Sequence, residues 1–261
     1  MPAENKAYSK TFNSKSDKQN KNRAKQQKKS IASLPLFERI NVFLTGYLDK
    51  IFWITFVLTL LSGLLLFDIR ISLSGDDSAY IIRAYDFIHH FTYPGFQGPL
   101  YPILLSPFIG IFGVKVVPLK LISLILMLGF NWLIYKSFKD RIPALLITSM
   151  LLLMAINSFF LYYASQTYSE ALFIFLQALT FLVFFKYFLH NEDHTTALQI
   201  RNYIFLTLCI LGLILTRTIG ITAFIAIAGY FLLKKQWKNL LGFTVSFAVL
   251  LTLFEFIRYL V

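Results

Sequence analysis

Long windows of this chain carry no Asp, Glu, Lys or Arg: 51–67, 142–169, 202–216, 218–233 and 239–254. Several reach or approach the roughly 20 apolar residues that a bilayer-spanning helix needs. A transmembrane β-barrel would alternate apolar and polar positions in segments of about ten residues, and no such alternation is present. The pattern predicts an all-α fold, a polytopic helical transmembrane bundle of about seven spans. The expected spans are 51–67, 116–135, 142–163, 171–189 and 239–259, with two more in 202–233. That last window is long for one helix and short for two, and Arg217 sits in its middle. A tight hairpin with its tip near Arg217 is therefore expected.

Between the first two spans lies the largest loop, 68–115, with prolines at 94, 99, 102 and 107. It reads as a loop with short interfacial helices, one over 78–89 and one within 93–113, anchored by Tyr and Phe at headgroup depth.

Composition agrees with a membrane protein: 57% of residues are hydrophobic and 15% charged, against about 25% charged in soluble domains. The net charge of +12 is unevenly spread. Residues 1–30 hold nine Lys/Arg against Glu4 and Asp17, a net +7. Residues 1–35 are expected to be a disordered basic tail, held on the cytoplasmic side, ahead of a transmembrane domain at 36–261. The tail lacks the compact form of a cleavable signal peptide, and its basicity is better matched to anionic headgroups than to nucleic acid. With the tail inside, the loop 68–115 lies outside, while Lys136, Lys139 and Arg141 return to the inner face. The single cysteine, Cys209, permits no intrachain disulfide and is expected to pack in a helix.

The candidate chemistry begins with Asp76 and Asp77, emerging just beyond the first span. Either could cap the helix that follows, or serve at the membrane surface as a general base or cation ligand. Arg83, Lys115, Lys120 and Arg217 are the cations on the same face. An Arg flanked by long uncharged windows is costly unless it meets water, a carboxylate or a ligand; Glu170 is its structural partner of choice. Glu170 opens the helix after 170, where an acid also suits the helix dipole. Tyr162, Tyr163, Gln166 and Tyr168 beside it could hydrogen-bond sugar hydroxyls or anchor the interface. His89 and His90 read as loop surface. His190 and His194 have an i, i+4 spacing but no third ligand, so no metal site is expected.

In order, "GDDSAYIIRAYDF", "YPGFQGPLYPILLSPFIGIFG", "LYYASQTYSEALFIFLQALTFLVF" and "LGLILTRTIGI" resemble the C-type glycosyltransferase superfamily. Those polytopic enzymes include the protein O-mannosyltransferases and aminoarabinose transferases. The resemblance covers roughly 51–233. It implies transfer of a sugar from a polyprenyl-phosphate donor to a lipid-linked glycan, polymer or protein on the non-cytoplasmic face, with inversion. It implies Asp76 as base, matching the first acid of the family's pair, and Asp77 orienting or sharing that role. It implies Arg83, Arg217, Glu170, Tyr101 and Gln97 in substrate or phosphate binding. Two departures stand out. Gln97-Gly98 replaces a Lys that precedes the proline in the aminoarabinose branch, and family members generally have more spans and a soluble C-terminal domain. A truncated product, a minimal member and one half of a split enzyme all stay open. No cofactor is implied; a divalent cation at Asp76/Asp77 would be compatible, although the resembled branch is read as metal-independent. The setting would be a bacterial inner membrane. The competing functions are a transporter or lipid flippase, which would want ionisable residues at mid-membrane and inverted repeats, and a non-catalytic membrane scaffold.

Overall fold

The computed structural model describes residues 34–72, 75–95, 98–189 and 196–260, and among them every regular element is helical. In chain order these are α1 (Leu36–Leu65), α2 (Asp76–His90), α3 (Leu100–Phe112), α4 (Val116–Phe138), α5 (Ala144–Ile156), α6 (Ser158–Ala164), α7 (Ser169–Tyr187), α8 (Thr196–Thr216), α9 (Ile221–Leu233) and α10 (Trp237–Leu260). The tail expected at 1–35 falls almost wholly outside the described residues, as do Gln97, His190 and His194.

Five helices, α1, α4, α7, α8 and α10, are long and apolar enough to cross a membrane. Treating α5 and α6 as one bent span makes six. Helices apolar all round satisfy their backbone groups internally, which is what a lipid surrounding demands. Lipid offers little hydrophobic drive for helices to pair, so close backbone approach matters. Gly129 of α4 admits the Phe175 ring of α7, where a Cβ would sit 2.8 Å from the ring. At Gly242 of α10 a Cβ would be 2.6 Å from the Tyr203 ring of α8.

The span expected at 142–163 is not one helix. Asn157 leaves helical geometry (φ −73°, ψ 118°), its Oδ1 accepts from Phe160 N at 2.9 Å, and α6 sets off at 61° to α5. A side-chain cap thus starts a new helix in the middle of an apolar window.

The hairpin in 202–233 is present. Arg217 is extended (φ −151°, ψ 136°), a single 3-10 turn follows at Thr218–Gly220, and α9 runs back along α8. Phe188 marks the reversal by packing on both Tyr203 (5.5 Å) and Phe231 (5.6 Å). With 13 residues, α9 falls below the usual spanning length.

In the long loop, α2 starts at Asp76 rather than at Ser78, and neither acid is its cap. Gly75 precedes it in the left-handed region (φ 77°), leaving Asp76 and Asp77 as the first two helical residues. α3 buries Tyr101, Leu105 and Ile109, spaced by four, against Tyr80, Ile81 and Ala84 of α2 and Leu119 and Ile122 of α4. The loop helices are therefore packed onto the bundle. Ahead of α3, Gly98 (φ +106°) lies on the last carbonyls of α8: a Cβ there would be 2.3 Å from Thr216 O and 2.6 Å from Leu215 O. Gly98→Ala is expected to lower stability by about 2–4 kcal/mol, from backbone strain plus a clash with main chain that cannot rotate away. Gly95→Ala, with nothing within 4 Å of the added carbon, is the control. Thermal unfolding in detergent reads both, and equal midpoints would show that the loop does not rest on α8.

The two ends of the bundle differ. At one, Lys139 pairs with Asp49 at 3.7 Å, Tyr135 donates to the same carboxylate, and Arg141 Nη1 donates to Ser137 O at 2.8 Å. At the other, the start of α2, the 165–170 turn and the tip of the hairpin meet.

Candidate functional site

Adjacent helical residues point about 100° apart, so the two acids at the head of α2 cannot share one environment. Asp77 turns inward and is fully buried. Its Oδ1 accepts from Thr167 N (2.7 Å) and Thr167 Oγ1 (2.8 Å), and its Oδ2 accepts from Ser72 N (2.8 Å). Lys120, also fully buried, faces it with Nζ 3.4 Å from Oδ2. The same ammonium donates to Arg70 O (2.5 Å) and Gln166 Oε1 (2.9 Å). An ammonium has three donors, and here each has an oxygen. Buried charges must be paired and hydrogen-bonded in this way. The cluster joins the segment at Arg70 and Ser72, the head of α2, α4 and the turn before α7.

Asp76 turns outward and is exposed. One helical turn on, Tyr80 is buried, donates to Ser169 Oγ at 2.9 Å and stands edge-on to Tyr101 at 5.2 Å. Burial pushes the Tyr80 phenol up, against the opposing effect of the Ser169 hydrogen bond; the charges of Glu170, Arg217 and Asp76 also act on it. Through Ser169, which precedes Glu170, this hydrogen bond ties α2 to the head of α7. Behind Tyr80, the fully buried Tyr101 shares a 3.0 Å hydrogen bond with Ser123 Oγ and faces the interior.

Arg217 Nη1 meets Glu170 Oε1 at 2.5 Å, and both side chains stay partly exposed (42% and 30%). The residue that breaks the α8–α9 hairpin is therefore held to the first turn of α7. This is the structural partner expected for Arg217, and it keeps a guanidinium face and a carboxylate edge accessible. Tyr162 and Tyr168 bring their hydroxyls within 3.4 Å of each other nearby.

Of the residues expected in a site, Asp76, Asp77, Glu170 and Arg217 come to one end of the bundle, but into two settings: an internal clamp (Asp77) and an outward-facing set (Asp76, Glu170, Arg217). Arg83 is elsewhere. It lines a separate cavity of about 340 Å³ with Asp86, Thr92, Tyr93, Pro94 and Gly95. Asp86, in the same cavity, lies 3.5 Å from His90. Among the described residues no group of three His, Cys, Asp or Glu is placed to hold a metal. Sequence reasoning ranked Lys120 only among phosphate candidates and missed Tyr80, Thr167 and Ser169. A signal existed for Lys120: a lone charge in "VVPLKLISLIL" is as costly in an apolar helix as Arg217.

Chemically, the exposed Asp76 can accept a proton, the Arg217–Glu170 pair can meet an anion or a cation, and the clamp is too enclosed to do either. The chain matches no protein-family model, no curated protein and no solved structure.

Proposed function

We propose that this protein is a membrane glycosyltransferase that moves a sugar from a polyprenyl-phosphate donor to a lipid-linked glycan, polymer or protein. One observation carries the proposal. The acids of "GDDSAY", the Tyr of "PLYP", the "SE" of "TYSEAL" and the Arg of "LTRT" are distant in sequence. They are linked through Tyr80, which follows Asp76 on the same helix, stands 5.2 Å from Tyr101 and donates to Ser169 at 2.9 Å, next to the Glu170 that pairs with Arg217.

In the proposed step the acceptor hydroxyl gives its proton to Asp76 as its oxygen bonds to the sugar's anomeric carbon. The bond from that carbon to the phosphate oxygen breaks, and polyprenyl phosphate leaves with the electron pair. A guanidinium, Arg217 at this end or Arg83 two turns further along α2, meets the added charge. Asp77 positions Asp76 through the clamp and takes no proton. The donor's prenyl chain would lie in the bilayer, placing its phosphate at headgroup depth beside α2. The proposal includes seven crossings, with short α9 as one arm of the hairpin. It places the N-terminus in the cytoplasm and the Asp76 end at the outer face of a bacterial inner membrane.

The test is sugar transfer by membranes containing the protein, supplied with a panel of polyprenyl-phosphate sugars and compared with Asp76→Asn at matched expression. Transfer that is lost in the variant supports the proposal. Transfer that is equal in both removes Asp76 from the chemistry, and movement of the lipid across the bilayer without transfer would favour a flippase.

A further inference from the structure

A cleft of about 600 Å³ lies between α4, α5, α6 and α7, within the usual range for a small-molecule site of about 300–1,000 Å³. Along α5 it is lined from Leu146 to Met154, a rise of about 12 Å at 1.5 Å per residue. Its wall is apolar apart from Ser149, Asn157, Tyr163 and Glu170. Leu146 and Leu153, on its rim, are 53% and 63% exposed, so the cleft opens sideways from an apolar helix. The break at Asn157 shapes it, because the 61° turn into α6 sets Phe160 and Tyr163 in its wall.

Among the described residues of the lining Glu170 is the one acidic or basic side chain, and it is paired to Arg217, just outside the lining, at 2.5 Å. The cleft is thus an elongated apolar slot, open to the bilayer, that ends at Glu170 with Arg217 next beyond it. A neutral chain alone would leave the pair unused. An anionic head would meet a guanidinium whose charge is already balanced, with a carboxylate beside it. A head carrying both a phosphate and an ammonium complements both ends of the pair.

We propose that this cleft binds one acyl chain of a phospholipid with a primary-ammonium head, the ammonium on Glu170 and the phosphate on Arg217. The N–H groups matter, because a charge-assisted hydrogen bond to the carboxylate needs a donor that a quaternary choline lacks. The site shares Glu170 and Arg217 with the transferase proposal but does not rest on it. Where both hold, Arg83 is the guanidinium left for the departing prenyl phosphate.

The experiment reconstitutes the full chain in nanodiscs containing equal parts of phosphatidylethanolamine, phosphatidylcholine and phosphatidylglycerol. It then measures by mass spectrometry the lipid retained after mild detergent extraction. Phosphatidylethanolamine is expected to be enriched about tenfold over the other two, the size of one charge-assisted hydrogen bond. Ser149→Trp fills the slot and leaves the ion pair untouched; it should abolish the enrichment. Glu170→Gln should turn the preference toward phosphatidylglycerol, because Arg217 is then uncompensated, an inversion that loosened packing would not produce. Equal retention of the three lipids, or enrichment that survives Ser149→Trp, overturns the proposal. Asp76→Asn should leave retention unchanged, so a failed transferase assay and a failed lipid site are told apart.

Discussion

Lys120→Met is expected to destabilise the protein by about 3–5 kcal/mol, the usual cost of removing one partner from a buried ion pair. Methionine matches the length of the lysine stem, so the loss is electrostatic rather than a cavity. It strands the fully buried Asp77 carboxylate and removes the donor to Arg70 O and Gln166 Oε1. Asp77→Asn fails for the mirror reason: it leaves the Lys120 ammonium unpaired, and its NH2 would face either Thr167 N or Ser72 N, a donor that now reaches a carboxylate oxygen. The double variant Asp77→Asn/Lys120→Met should recover part of the loss, because no net charge is then buried alone. Thermal unfolding of the four proteins closes the cycle. If the two single changes simply add, the pair is not coupled and the clamp is an accident of proximity.

Asp76→Asn has the opposite profile. It should lower sugar transfer by about 10²–10⁴-fold, the usual worth of a positioned general base, and leave the unfolding midpoint where it was. Asparagine keeps the shape of the side chain but cannot take the acceptor's proton. Because Asp76 is exposed, no buried partner is orphaned by the change. Two neighbouring acids therefore separate cleanly. On the transferase proposal the Asp76 variant should be stable and inactive, whereas the Asp77 variant should lose activity together with its fold. Wild-type transfer by Asp76→Asn would sink the assignment.

The helical membrane class was legible because lipid leaves the backbone few options: an apolar window must satisfy its own N–H and C=O groups, and a helix does so. The hairpin was legible for a related reason, since Arg217 is too costly to leave mid-window. The division of labour between Asp76 and Asp77 was not. It depends on where α2 begins, and Gly75 starts the helix two residues earlier than the apolar periodicity suggested. That shift decides which acid faces inward. The break at Asn157 was also missed, because one amide side chain in an apolar window weighs little in hydropathy although its Oδ1 suffices to cap a new helix. Tyr80 and Ser169 lie in separate motifs that nothing in the local sequence pairs. Their hydrogen bond spans 89 residues of chain, a distance that local pattern cannot bridge.

The clamp also has a consequence for biosynthesis. A ribosome delivers Asp77 first, then Lys120, and Thr167 and Gln166 last. At about 5–20 residues per second the wait from Lys120 to Thr167 is roughly 2–9 s, during which the nascent chain holds a lysine and an aspartate whose partners at 166 and 167 are not yet made. The Asp77 end of the bundle therefore settles late, only once the start of α7 has emerged, and until then it is open to quality-control proteases.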